Sequence, residues 1–237
     1  MSKKAIILYS GGKNSHLALL TAVKKGFEPV LWHIDAGPKK HIFFSNYADS
    51  ELIKAQAGLA GFKVSLIKVK TLEPEKIFSK IIEESLKSMS HSDKLVYFSS
   101  NDYQEEKKDK RVNAQFRKIC KKHGVQFISF QDIIGKDDSL TPIKMAVRKG
   151  IKSVVIGLER HIDKSWLLKP VDLSFAKMID AEMKAGKPVD ANSYQSLVLE
   201  SPLFGNKKIK LIKTDYSCHP KDLRHFIMIR KYGISVK

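Results

Sequence analysis

Six consecutive residues near the start of the chain, Ser10-Gly11-Gly12-Lys13-Asn14-Ser15, combine glycine, hydroxyl and ammonium groups in a pattern suited to holding phosphate. The apolar run Ala5-Ile6-Ile7-Leu8 precedes them, and a helical pattern beginning His16-Leu17-Ala18-Leu19-Leu20 follows. That order predicts a strand, a turn and a helix start. Two glycines let the main chain pass close to an anion, and the first N–H groups of a helix have no internal partner. The helix dipole adds about half a positive charge at the same end, which favours an anionic ligand there. Lys13 and the hydroxyls of Ser10 and Ser15 can supply further donors. A Gly-Gly pair also occurs in ordinary strand-to-helix turns. Position favours the phosphate reading, because this is the first strand–loop–helix unit, where many nucleotide-binding α/β folds keep their phosphate loop.

The elements that must position this turn alternate. Strands are expected at Lys4–Tyr9, Glu28–Ile34, Lys63–Val69, Lys94–Phe98 and Gln126–Ser129, each short and rich in Val, Ile, Leu or Phe. Helical patterns lie between them at Ser15–Lys25, Ser50–Leu59, Pro74–Ser88 and Lys107–His123, with Gly26, Gly61 and Gly124 just past three of the ends. Strands separated by helices imply a parallel sheet covered on both faces, with ligands at the carboxyl ends of the strands. Beyond it, a helix at Thr141–Gly150 and a strand at Lys152–Leu158 are followed by a change of rhythm. A helix at Leu173–Ala185 then leads to strands at Ser196–Glu200, Lys207–Lys213 and Phe226–Ile229. The expected domains are 1–135 and 136–237, with Gly135-Lys136-Asp137-Asp138-Ser139 as the most linker-like stretch. The basic and aromatic segment Leu223–Tyr232 reads as a plain edge strand, with RNA binding as the alternative.

Composition narrows the classes. The 237 residues are 43% hydrophobic, enough for a substantial core, and no apolar run approaches the ~20 residues that span a bilayer. The apolar run at the N-terminus is too short for a signal-peptide core. Cys120 and Cys218 are far apart and form no C-x-x-C, so neither a disulfide framework nor a zinc site is indicated, and a cytoplasmic location is expected. Cys120 shares a helical pattern with Phe116 and Ile119 and is expected to be buried. The eight histidines, His16, His33 and His161 among them, form no H-x-x-x-H or H-E-x-x-H pair, so no metal ligands are assigned. A net charge of +18 favours an anionic partner: nucleotide, RNA or an acidic protein surface. The lysines are spread along the chain, as solvated helix ends and loops are.

Ser10–Ser15 resembles the PP-loop, S-G-G-x-D-S, of the N-type ATP pyrophosphatase superfamily. Later segments are similar to one branch of it, the diphthine–ammonia ligase family. Ser100-Asn101-Asp102-Tyr103-Gln104, with Arg111-Val112 after it, resembles that family's S-D-Y-Q…R-V. Leu140–Gly150 and the strand after it fall where the family has a Leu-rich helix and Gly. Tyr194-Gln195-Ser196-Leu197-Val198-Leu199-Glu200-Ser201-Pro202-Leu203-Phe204 follows the family's E-Y-x-T-L-V-x-D-x-P-L-F. The resemblance implies a HUP/Rossmann-like α/β fold, a parallel sheet sandwiched by helices, with a smaller C-terminal α+β domain that binds substrate. It implies ATP and Mg²⁺, adenylation of a carboxylate with release of AMP and pyrophosphate, and amide formation with ammonia. Diphthine, a modified histidine of elongation factor 2, is the family's substrate, which would make that factor a partner.

Carried over by position, Ser10, Gly11, Gly12, Lys13, Asn14 and Ser15 would hold the nucleotide's phosphates, with Asp35 near the nucleoside. Asp35 reads equally as a turn residue before Gly37-Pro38. Lys13, Asp102 and Arg111 would be catalytic: Asp102 would bind Mg²⁺ or orient a substrate group, and Arg111 would face phosphates or the substrate carboxylate. The competing reading makes Asp102 a helix cap and Arg111 a surface arginine. Tyr103, Asp190 and Tyr194 would bind substrate, although Tyr194 also fits a core position.

Three departures from the family pattern touch the same cleft. The acidic PP-loop residue is Asn14, which caps a helix as well as aspartate does but lacks its charge. The family's G-E-G-G-E-Y is replaced by Val189-Asp190-Ala191-Asn192-Ser193-Tyr194, without glycine and with one carboxylate fewer. Where the family has M-F-H, this chain has Phe43-Phe44-Ser45. Two alternatives therefore accompany the ligase: a PP-loop enzyme modifying tRNA, and a nucleotide-binding protein that has lost amidation.

Overall fold

The structure is a computed structural model describing residues 3–35, 49–69, 73–87, 94–99, 107–135, 140–189, 193–219 and 224–237, with the main chain alone described for 107–113 and 219. It divides into two compact units. The first comprises Met1–Ser10, Asn14–Ser45 and Lys63–Lys136; the second comprises Gly11–Lys13, Asn46–Phe62 and Asp137–Lys237.

The first unit is built on five parallel strands, β1 (Lys3–Leu8), β2 (Glu28–Asp35), β3 (Val64–Lys68), β4 (Lys94–Phe98) and β5 (Gln126–Ile128), in the order β3-β2-β1-β4-β5. The central strand β1 is buried from Ala5 to Leu8. Such a near-continuous apolar run is what a parallel strand covered on both faces needs. The helices are α1 (Lys13–Lys24), α2 (Ser50–Leu59), α3 (Pro74–Lys87), α4 (Lys107–Lys122) and α5 (Phe130–Ile134), of which α2 falls in the second unit.

On one face of the sheet, Ile6, Leu8, Ile34 and Tyr97 form a cluster with Ile77, Phe78, Ile81 and Ile82 of α3 and Phe116 and Cys120 of α4. The buried positions of α3 recur at helical spacing, so one stripe faces the sheet while Glu84 and Lys87 pair in solvent at 2.9 Å. Phe78 stacks on Phe116 with centroids 3.9 Å apart and meets Tyr97 edge-on at 4.7 Å. Burial raises the Cys120 thiol to about 12, which leaves it an inert core group. Ala5 and Ile7 alternate to the opposite face and are buried as fully, and there Phe27 meets Phe98 edge-on at 5.3 Å. The parallel core flanked by helices is the fold expected from the alternation of strand and helix. The chain reverses its progress across the sheet between β1 and β4, which is where ligands of such sheets bind.

The second unit carries an antiparallel sheet of β6 (Lys152–Glu159), β7 (Tyr194–Glu200), β8 (Lys207–His219) and β9 (Arg224–Val236), in the order β7-β6-β9-β8. Its helices α6 (Thr141–Arg148) and α7 (Leu173–Lys184) supply Ile143, Phe175, Ala176 and Ile179 to a cluster with Val155 and Leu158 of β6 and Tyr194 of β7. This is the C-terminal α+β part, with the smaller of the two sheets. The segment expected to be an edge strand falls in β9, which sits between β6 and β8 at its start and has β8 as its one partner among the described residues from Ile227 onward. Only Arg224, His225 and Phe226 of β9 pair with β6, while its whole length pairs with β8 in a long hairpin. Among the described residues no helix is long and apolar enough to cross a membrane.

Candidate functional site

Strand β1 ends at Leu8, and the Tyr9 N–H donates to the Trp32 carbonyl at 2.7 Å, so the chain leaves the sheet at Ser10. Gly11 then takes φ +76°, a conformation that side-chain-bearing residues rarely adopt. The Ser10 N–H donates to Ser15 Oγ at 3.3 Å, and the two hydroxyl oxygens share a hydrogen bond at 3.2 Å. These bonds close the turn on itself. Helix α1 begins at Lys13, so Asn14 stands in the first helical turn rather than at the cap position. Its side-chain Oδ1 is buried without a hydrogen-bond partner among the described residues.

Below the turn lies a buried polar pair. The Tyr9 hydroxyl and His16 Nδ1 are 3.0 Å apart, and His33 Nδ1 is 3.0 Å from the Tyr9 carbonyl. Burial pushes the His16 imidazole down to about 3 from its ordinary 6.5. Burial also lowers His33, outweighing the Tyr9 carbonyl bond and the charge of Asp35, which act the other way. Both rings are neutral at neutral pH. Positive charge at the turn therefore comes from Lys13 and the helix end. Asp35 closes β2, half-buried, in register with Lys68 of β3.

The tip of the turn is held within the second unit by β7 and α2. The Lys13 N–H donates to Ser196 Oγ at 3.1 Å, and the Lys13 ammonium sits over the Tyr194 ring, 4.6 Å from its centroid. Lys13 is only 3% exposed, so this contact is desolvated, where a cation–π pair is worth up to about 2 kcal/mol. Tyr194 and Ser196 are two residues apart on β7 and share one face of the strand. The Gly11 carbonyl accepts from the Val198 N–H at 3.0 Å and from Gln56 Nε2 at 3.2 Å, and Gln56 Nε2 also donates to the Val198 carbonyl at 2.6 Å.

Of the residues expected to act, the structure joins Ser10 to Ser15, and Gly11 and Lys13 to the strand that carries Tyr194. Asp102, Tyr103 and Asp190 lie outside the described residues, as do Phe43–Ser45, and Arg111 is described only as a main-chain position in α4. Three residues not singled out beforehand prove to hold the turn: Gln56, Ser196 and Val198. Gln56 had a signal, being the polar member of the buried stripe Leu52, Ile53, Gln56, Ala57 on α2. Ser196 stood inside the motif beginning at Tyr194.

A turn carrying two glycines, a helix start and a buried lysine suits the phosphates of a nucleotide. Among the described residues no group of three or more His, Cys, Asp or Glu side chains could hold a metal by itself.

A five-stranded parallel sheet in this order, with a glycine turn leading from β1 into α1, is a Rossmann-type, PP-loop-like core. Residues 3–127 match the family described as Diphthamide synthase N-terminal domain, and the chain belongs to that family. No curated protein matches the chain. Family membership supports a nucleotide-using enzyme of the PP-loop ATPase and ligase kind in general. The matched stretch ends at Phe127, so the motif at Tyr194–Phe204 lies beyond it.

Proposed function

We propose that this protein is an ATP-dependent, amide-forming ligase that adenylates a carboxylate and then uses ammonia. The observation that carries the reading is the glycine turn itself: Gly11 at positive φ, α1 starting at Lys13, and the Lys13 ammonium held in place beside them. Family membership supports the nucleotide, and the motif at Tyr194–Phe204 supports the chemistry.

A carboxylate oxygen attacks the α-phosphorus of ATP; the new bond joins acyl oxygen to phosphorus, and the bond to the β-phosphate breaks, releasing pyrophosphate. The nitrogen lone pair of ammonia then attacks the acyl carbon, the C–O bond to AMP breaks, and the nitrogen loses a proton. Two anions must meet in the first step, so positive charge fixed at the phosphates supplies much of the stabilisation. The Lys13 ammonium and the positive end of α1 provide it, and Mg²⁺ bound with ATP would add to it. Ser10, Gly12, Asn14 and Ser15 complete the phosphate turn, and Asp35 faces the nucleoside. Asp102 would bind Mg²⁺ or orient a substrate group, Arg111 would face the phosphates or the substrate carboxylate, and Tyr103, Asp190 and Tyr194 would contact the acyl substrate. In this reading residues 1–135 bind ATP, residues 136–237 bind substrate, and the protein works in the cytoplasm with elongation factor 2 as its macromolecular substrate.

Asn14 favours a second reading. Without the acidic residue of the PP-loop, the protein binds nucleotide and has lost amidation. Incubation with Mg-ATP, ammonium and candidate carboxylates separates the two. AMP and pyrophosphate in equal amounts, dependent on the carboxylate, support the ligase. Bound but intact ATP supports the second reading, and ADP refutes both. A tRNA-modifying enzyme would instead bind tRNA with an affinity that falls steeply as salt rises.

A further inference from the structure

We infer that Gln56 is a positioning residue for the phosphate turn, one that orients the Gly11–Gly12 peptide from a site 45 residues away in the chain. The inference rests on the nucleotide reading proposed above. A peptide is planar and trans, so the Gly12 N–H points opposite to the Gly11 carbonyl. Whatever fixes that oxygen aims that N–H. Two donors fix it, the Val198 N–H at 3.0 Å and Gln56 Nε2 at 3.2 Å.

Val198 alone would leave the peptide a hinge about one bond. The second donor removes that freedom, and because Nε2 also donates to the Val198 carbonyl at 2.6 Å, a single amide group ties the turn to β7. Gln56 is 0% exposed and lies between Ile53 and Ala57 on the buried side of α2, so it approaches no solvent and is held by packing. A polar side chain at that position costs desolvation, which the Nε2 bonds to two carbonyls offset in part, Oε1 being buried without a partner among the described residues. Leucine or methionine would fill the volume; only an amide supplies two donors between two carbonyl oxygens. The same side chain explains why residue 11 must be glycine. A Cβ there would come within 3.0 Å of both Gln56 Oε1 and Ile53 Cδ1, nearer than such atoms approach.

The test is calorimetric titration of Mg-ATP into the full-length protein and into Gln56→Met, Gln56→Glu and Lys13→Ala, each with its fold checked by circular dichroism. Gln56→Met keeps the volume and removes both donors, and should weaken ATP binding roughly tenfold, the equivalent of one net hydrogen bond. In Gln56→Glu the buried carboxyl has a raised pKa and can donate only when protonated. With one O–H in place of two N–H donors, its affinity relative to wild type should recover in part at about pH 5.5 and fall at about pH 8.5. Because ionising a buried carboxyl also destabilises the fold, circular dichroism is repeated at each pH; loss of affinity at about pH 8.5 in a protein still folded separates positioning from stability, and decides the matter if Gln56→Met does not fold. Binding by Gln56→Met equal to wild type, or a Gln56→Glu ratio that does not vary with pH, would overturn the inference while wild type binds and Lys13→Ala does not. If wild type itself binds no ATP, the nucleotide reading fails and takes this inference with it.

Discussion

Replacing Gly11 with alanine should cost far more than replacing a second glycine of nearly the same backbone angle. Gly11 has φ +76° and Gly186 has φ +75°, and both belong to the second compact unit. A side chain at either position pays for the unfavourable φ, about 1–2 kcal/mol. The surroundings differ. Nothing lies within 4 Å of a Cβ at residue 186, whereas one at residue 11 would come within 3.0 Å of Gln56 Oε1 and Ile53 Cδ1, with Gln56 Cδ at 3.1 Å. Neither neighbour is the loose end of a surface side chain, because Ile53 and Gln56 are both 0% exposed. Forcing them aside adds the cost of overpacking, about 1–3 kcal/mol. Gly11→Ala should thus lose about 2–5 kcal/mol against about 1–2 for Gly186→Ala. Urea denaturation of the two variants beside wild type measures the difference. ATP titration of the same samples should show Gly186→Ala unaffected and Gly11→Ala strongly weakened. Equal losses of stability would refute the claim that residue 11 is hemmed in.

Three further outcomes follow from the same geometry. Lys13→Ala should weaken Mg-ATP binding by roughly 10- to 150-fold, the loss of about 1.5–3 kcal/mol in charged hydrogen bonding, while Lys207→Ala on the exposed start of β8 should do little; equal effects in calorimetry would count against the site. Ser196→Ala removes the acceptor of the Lys13 N–H and should lower stability by about 0.5–1.5 kcal/mol, with Ser196→Thr retaining most of it, as urea denaturation will show. His16 should make the fold acid-sensitive. Its folded pKa of about 3 lies below its ordinary 6.5, so above that value it contributes no pH dependence, and as pH falls through it the unfolded chain takes a proton that the folded chain refuses. Stability should drop by about 1.4 kcal/mol per pH unit from this residue, with His33 acting in the same direction. In His16→Asn the slope between about pH 6.5 and 5 should be shallower by one proton, and an unchanged slope would contradict the burial argument.

Local periodicity made the parallel core legible. Ser50–Leu59 and Lys94–Phe98 are a helix and a strand at the limits their apolar spacing indicates, because each buries a face set by its own residues. The glycine turn was legible for the same reason, since a strand, two glycines and a helix start are all neighbours in the chain. The short helix α5 was missed: its signal is the capping box of Ser129 and Asp132, and five residues carry no periodicity. Strands β8 and β9 extend well beyond their apolar stretches. Lys207, Lys210, Lys213 and Tyr216 are exposed along β8, so pairing between strands, rather than burial, sets the length. The holding of the turn was the least readable feature. Gln56 and Val198 are 142 residues apart, and nothing in either segment announces that they meet. Asn14 shows the reverse, a residue read as a cap which the start of α1 at Lys13 places inside the helix.

Crystals of the protein grown with Mg-ATP would settle where the nucleotide goes. The phosphates should lie against the main chain of Gly11 and Gly12 with the Lys13 ammonium turned towards them. A nucleotide bound away from this turn, or no nucleotide in crystals grown at saturating concentration, would contradict the assignment of the turn and the ligase chemistry built on it.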